Sequence, residues 1–372
     1  MRSGKAEKKE TRIRQPNKLK QRNEPNKPKR PSMIVNALTI DVEDYFQVHA
    51  FSSTIRREDW DSFEPRVEKN THRILDLLDS VKSNNREKSS NPTDTTKFPK
   101  GTFFVLGWIA DRFPKLVKEI HRRGHEVACH GYAHKCIFDQ TRNEFKEDVK
   151  RAKAILEDLI GEAVIGYRAP TYSITKKSLW ALEILYELGF LYDSSIFPIH
   201  HDIYGISGAP RFPFSWNLNG SEPQIIQHSK LTELAEYPIS TAMIFGQKIP
   251  IAGGGYFRLF PYWFTKMALK NINEREGQPF TFYLHPWEVD PDQPRFNHAG
   301  MLSRFRHYNN LHKTAGRFER LLRDFKFGPI PAGDVSLQSK KNSHRTTQTH
   351  TKLSPAGSGG NSQRFALKNG AS

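Results

Sequence analysis

Residues 103–130 read FFVLGWIADRFPKLVKEIHRRGHEVACH. FFVLG at 103–107 is an apolar run that fits a buried strand. A helical pattern follows over about 109–123 and stops at Gly124, and HEVACH at 125–130 is strand-like again. The same unit recurs on both sides. Downstream, an amphipathic helix over 142–160 stops at Gly161, VIGYRAP at 164–170 reads as a strand, a helix over 175–188 ends at Gly189, and FLYDSS at 190–195 is another strand. Upstream, IVNALTIDV at 34–42 reads as a strand. Residues 65–82 carry Val67, Ile74, Leu75, Leu77 and Leu78 at helical spacing, and a polar, Pro-bearing loop covers 83–99. Residues 203–260 are irregular, 261–276 are helical, and PFTFYLH at 279–285 is the last expected strand. Alternation of this kind predicts an α/β fold of parallel units, either a barrel or a doubly wound sheet.

Charge separates the chain into a body and two tails. The formal net charge is +17, of which residues 1–32 carry +9 and residues 336–372 carry +6, leaving +2 for 33–335. A nearly neutral body argues against a nucleic-acid-binding core. Both tails are polar and poor in apolar residues, so disorder is expected there. Their charge would suit peripheral association with an anionic surface. The basic start has no apolar h-region or small-residue cleavage site before residue 33, so no secretory signal is expected. No apolar run approaches membrane-spanning length. Cys129 and Cys136 are the only cysteines, which points to a reducing, cytoplasmic setting and to small buried residues rather than a disulfide framework.

Parallel β/α folds build their sites at the C-terminal ends of strands. Five expected strands end in reactive side chains: Asp41, Glu43 and Asp44; His130, continuing to His134; Arg168; Asp193; and His285. On a helical turn, the four-residue spacing of His130 and His134 would let both imidazoles grip one cation. Two histidines with one carboxylate leave positions open for water and substrate, as a catalytic metal requires. Asp41 and Glu43 are two apart and face the same way on a strand, so one can ligate while the other acts as a base. Asp44 suits a helix N-cap. Arg168 either bridges two strands or orients a carboxylate, with Asp193 as a candidate partner. His285 is either a hydrogen-bonded core histidine or a general acid.

In chain order, TIDVEDYFQV (39–48), CHGYAH (129–134), YRAPTYSI (167–174), YDSSIFP (192–198) and LHPWE (284–288) resemble the five motifs of the polysaccharide deacetylases, carbohydrate esterase family four, with the NodB homology domain. The DVEDYFQV opening and the GGGYFRL stretch at 253–259 resemble the subgroup encoded in exosortase-linked exopolysaccharide loci. The resemblance implies a distorted (β/α) barrel of about seven strands over 33–240. An extension over 241–335 would complete it and supply the last strand and His285. It also implies one divalent metal ion, often zinc. Glu43, His130 and His134 then match the ligands, Asp41 the base, Arg168 the arginine that orients the base, Asp193 the supporting aspartate and His285 the general acid. The usual pair of adjacent aspartates is replaced by Asp-Val-Glu-Asp, so Asp44 competes with Glu43 as the acidic ligand, and the two-residue spacing favours Glu43. Thr171 stands where an aromatic residue often follows the proline, with Tyr172 one position later.

The implied activity is hydrolytic N-deacetylation of N-acetylhexosamine units in an exopolysaccharide or its lipid-linked precursor. Two other classes share these features: hydrolases of small cyclic amides or ureides on the same scaffold, and a non-catalytic carbohydrate-binding protein.

Overall fold

The computed structural model describes Met1 and residues 34–81, 99–226, 233–297 and 299–331. The expected tails and nearly all of the 83–99 loop lie outside the described residues. The first half alternates as expected: β1 (Val35–Val42), α1 (Val67–Ser80), β2 (Thr102–Val105), α2 (Gly107–Arg112), α3 (Pro114–Arg122), β3 (Glu126–Cys129), α4 (Arg142–Ile160), β4 (Gly166–Tyr167), α5 (Trp180–Glu187) and β5 (Tyr192–Asp193). The single helix expected over 109–123 is two. Pro114 disfavours helical backbone at Phe113, which sits at φ −125°, ψ 55°. The α4 helix is bounded as its sequence dictates: Thr141 and Glu144 form a capping box, and Gly161 closes the helix at φ +71°.

The stretch read as irregular holds regular structure that its short strands conceal: β6 (Phe214–Asn217), β7 (Gln224–Ile226), β8 (Leu234–Glu236), the hairpin β9 (Thr241–Ile244) and β10 (Gln247–Pro250), and α6 (Gly254–Leu259). Then come α7 (Tyr262–Glu274), β11 (Thr281–Leu284), α8 (Met301–Tyr308), α9 (Leu311–Asp324) and β12 (Lys326–Gly328).

The main sheet has ten strands. Parallel ladders run in the order β11, β1, β2, β3, β4, β5, β8. The β6 and β7 strands continue the sheet antiparallel, and β12 joins the start of β1 in parallel. This corrects two expectations: the strands exceed seven, and β11 is not the last. No ladder among the described residues closes a barrel. Past β8, Ser240 donates its backbone N–H to the Thr281 carbonyl at 3.4 Å, and its Oγ accepts the Thr281 N–H at 2.8 Å, so the two ends of the parallel array meet through single bonds.

Strand alternation sets what lies on each face. From β1, Leu38, Ile40 and Val42 join the large core shared with the helices. On the other face Ala37 joins a small inner cluster with Phe104, Ala128, Tyr192, Ala235 and Tyr237. Thr39 and Asp41 follow Ala37 at the same period. Both faces are covered, as parallel sheets require, and the inner row turns polar toward the strand ends. Truncating Ile40 to Ala would cost about 2–5 kcal/mol.

Candidate active site

A cavity of about 480 Å³ opens at the C-terminal ends of β1, β3 and β11, and Asp41, Glu43, His130, His134 and His285 all line it. Chain segments far apart in sequence therefore converge. Glu43, His130 and His134 each turn one ligand atom inward, and these atoms lie within 4.8 Å of one another.

Local structure aims each side chain. The β1 strand ends at Val42, and the Glu43 N–H bonds to the Asp41 carbonyl at 3.0 Å. A tight turn, not continued strand alternation, therefore brings Glu43 beside Asp41. Asp44 goes elsewhere: Oδ2 accepts the N–H groups of Arg66 and Val67 at 2.7 and 2.9 Å, capping the start of α1 from 22 residues upstream. The capping role holds, across the chain rather than locally, and leaves Glu43 as the carboxylate beside the histidines.

His130 and His134 do not share a helical turn. The segment after β3 is a loop with Gly131 at φ +73° and His134 at φ +50°. A non-glycine residue in that region is strained and must be held there. Two residues hold it. Asp148 on α4 accepts the N–H groups of Tyr132 and Ala133 at 2.7 and 3.1 Å, and Arg57 donates to the carbonyls of Ala133 and His134 at 2.6 and 3.0 Å. His130 Nδ1 bonds to the Arg168 carbonyl at 2.8 Å, which fixes the tautomer and leaves Nε2 free as a ligand atom.

The protonation states suit a cation. Burial works against the Glu43 carboxylate, but His134 and His285 outweigh it and hold its pKa down to about 2. Burial pushes the His130 pKa down to about 4, so its imidazole is neutral. An ionised carboxylate with a neutral imidazole is what a divalent ion needs. His134 Nε2 lies 2.6 Å from Glu43 Oε2. Tetrahedral ligands at about 2.0–2.2 Å from zinc sit roughly 3.4 Å apart, so less than about 1 Å of opening there makes room for the ion.

Arg168 is fully buried. Its Nη1 donates to Asp41 Oδ1 at 2.6 Å and to Thr39 Oγ1 at 2.7 Å, and its Nε and Nη2 donate to the carbonyl and hydroxyl of Ser194 at 3.0 and 2.8 Å. Burial alone would lower the guanidinium pKa; Asp41 reverses that and raises it. The expected Arg168–Asp193 pair does not form, because Asp193 alternates away from Ser194 on the strand. Asp193 Oδ1 instead accepts the Ser195 hydroxyl at 2.6 Å, and Ser195 Oγ accepts the Ala169 N–H at 2.8 Å. Asp193 thus reaches the Arg168 strand through Ser195 and does not line the cavity.

His285 Nε2 lies 3.8 Å from Asp41 Oδ2 and 3.6 Å from Glu43 Oε1. On its other side Nδ1 meets Glu288 Oε1 at 2.7 Å, and Arg258 anchors Glu288 Oε2 at 2.7 Å. Burial would lower the His285 pKa; Glu43, Glu288 and Asp41 overcome this and lift it to about 9. Glu288 and Arg258 are not among the residues expected at the site, although both lie in quoted motifs. The signal was available: a carboxylate three residues after a strand-end histidine can turn back on it.

The expected aromatic departure is also accommodated. Thr171 and Tyr172 are both left-handed, at φ 58° and 53°, and this turn brings Tyr172 into the cavity wall. Its buried hydroxyl has no hydrogen-bond partner among the described residues. Gly253 and Gly254 meet a related demand: at either, a Cβ would collide with Tyr283 on β11. Their close approach carries Tyr256 and Arg258 to the cavity. Cys129 and Cys136 are buried, burial pushes their thiol pKa values up to about 12 and about 11, and neither belongs to the Glu43–His130–His134 cluster.

Comparison with known proteins finds two family models on successive stretches of the chain. Residues 96–190 match the polysaccharide deacetylase family model, which takes in His130, His134 and Arg168. Residues 194–332 match a domain of unknown function, DUF3473, which takes in Arg258, His285 and Glu288. Asp41 and Glu43 lie upstream of both matches. Among curated relatives, the peptidoglycan-N-acetylglucosamine deacetylase of Bacillus cereus is 35% identical over 85 residues, 23% of this chain and 31% of the relative. The peptidoglycan deacetylase of Helicobacter pylori is 32% identical over 101 residues, 27% of this chain and 33% of the relative. The chain thus matches only about a third of the length of these relatives. A solved allantoinase covers 86% of this chain and 91% of its own at 14% identity and a TM-score of 0.46. A mutant of the peptidoglycan deacetylase PdaC from Bacillus subtilis covers 86% of this chain and 98% of its own at 12% identity and a TM-score of 0.39.

Proposed function

We propose that this protein hydrolyses the acetamide of N-acetylhexosamine units in a polysaccharide, releasing acetate. One observation carries the reading: a single cavity holds an Arg168-bound carboxylate, a Glu–His–His ligand set and a charged imidazole, with His285 Nε2 only 3.8 Å from Asp41.

Glu43, His130 and His134 would hold one divalent ion, zinc by the donor set, which when bound supplies Lewis acidity to water and to the acyl oxygen. The rest is work for the chain. Arg168 takes Oδ1 of Asp41 and leaves Oδ2 toward the cavity, placed to accept the proton of the attacking water. As the C–N bond breaks, His285, whose proton the Glu288 carboxylate behind it and Asp41 help to hold, gives that proton to the departing nitrogen. Water thus adds across the bond, and the products are acetate and a free amine. Asp193 supports the Arg168 strand through Ser195. The turn beginning at Gly253 walls the cavity with Tyr256. That wall, together with the resemblance of the GGGYFRL stretch, favours an exopolysaccharide or its lipid-linked precursor as the substrate.

The test is acetate release from chitooligosaccharides by the purified chain, with metal content measured on the same sample. Acetate formed in proportion to bound metal supports the reading. A fully loaded protein that releases none from any N-acetylated glycan overturns it.

A further inference from the structure

Exposed apolar side chains gather at the mouth of the cavity. Leu302 and Phe305 line the cavity, yet they are 60% and 55% exposed, and Met301 beside them is 87% exposed. All three belong to α8, where positions 301, 302 and 305 share one face. Leu259, at the end of α6, lines the same mouth and is 47% exposed. Apolar side chains scattered singly over a surface need no explanation, but a cluster around a site entrance does.

Charge says what covers it. From Gln293 to Phe318 the chain has five basic residues, Arg295, Arg304, Arg306, Lys313 and Arg317, and no acidic one. Arg304 and Arg306 are exposed on α8, interleaved with the apolar residues, and neither forms an ion pair among the described residues. An apolar face bordered by unpaired arginines is the pattern that lies on anionic bilayers, with the side chains reaching the acyl boundary and the guanidinium groups the phosphates. The remainder of the helix is built to stay in place. Arg258 donates to the carbonyls of Arg306, His307 and Asn309 at 3.0, 2.6 and 3.0 Å, tying the last turn of α8 to Glu288 beneath it.

We propose that α8 docks the mouth of the cavity onto an anionic phospholipid membrane. The further step, that the membrane presents a glycan carried on a lipid, rests on the deacetylase reading; the docking does not.

The test is co-sedimentation of the full chain with phosphatidylcholine vesicles, with and without phosphatidylglycerol. Two variants are compared, Met301→Asp/Arg304→Glu and Leu302→Ser/Phe305→Ser, each checked for a wild-type circular dichroism spectrum and melting temperature. The wild type should bind the anionic vesicles, and each variant should bind about tenfold more weakly or worse. Both variants retain the basic termini. Unchanged binding by both would assign adsorption to the tails and overturn the proposal. So would a wild-type dimer that ignores vesicles and dissociates in the variants, which would assign the face to a second copy. Vesicle binding needs no turnover, so its failure is separate from failure to release acetate.

Discussion

Glu288 folds back three residues to meet His285, its Oε1 2.7 Å from Nδ1, while its own second oxygen is held by Arg258. The imidazole is thereby oriented from behind, with Nε2 free to face Asp41. Glu288→Gln removes one of the anions that lift the His285 pKa to about 9, so that pKa should fall toward its ordinary value. The basic limb of the activity profile should move to lower pH with it, and kcat should drop about 10- to 100-fold. Imidazole NMR across pH 6–10 reads the shift directly; an unmoved His285 titration would show that Glu288 does not set its charge. A cation at Glu43 should also lower this pKa, because it neutralises another of the same anions.

Asp41→Asn keeps the size of the side chain at 2.6 Å from Arg168 but cannot accept a proton. The variant should fold and bind metal as the wild type does, and should lose about 10²–10⁴ in kcat. Near-normal acetate release with full metal loading would remove Asp41 from the base position.

Glu43 and Asp44 are adjacent in sequence but have separate tasks, and two variants separate them. Glu43→Ala should lose metal affinity by far more than stability. Asp44→Ala should keep the metal, because Asp44 bonds the first amides of α1 and not the cavity. It should cost about 1–2 kcal/mol as a lost cap. Metal analysis paired with urea unfolding decides, and the reverse pattern would reassign the ligand.

The site was readable in sequence where it followed strand ends, because a parallel sheet delivers Asp41, His130, Arg168 and His285 to one edge whatever the helices do. Readability failed where position depends on turns or on contacts far along the chain. The HGYAH spacing suggested a helix, yet a left-handed loop held by Arg57 and Asp148 produces the same convergence. Strand neighbourhood suggests Asp193 as the partner of Arg168, but alternation hands that contact to Ser194. In the fold, helices with glycine stops stand out, whereas three-residue strands such as β7 and β8 carry too few residues to show a period.

Asp193 and Glu236 form a buried carboxyl pair behind the site. Burial raises both pKa values, Asp193 to about 6, and each accepts further bonds, Ser195 on Asp193 and the Ile196 N–H and Trp216 indole on Glu236. The folded pair keeps a proton that the unfolded chain releases near the ordinary values of 3.8 and 4.5. Stability from this pair is therefore complete below about pH 4 and is lost as pH rises through 6. Glu236→Gln holds a permanent neutral donor at that position and should flatten this component. Relative to wild type, the variant should gain stability steadily between pH 4 and 7, after a constant penalty of about 1 kcal/mol for the Trp216 indole bond, lost where the amide NH2 stands in for Oε2. Urea midpoints for both proteins across that range give the comparison, and parallel curves would mean that the two carboxyls do not share a proton.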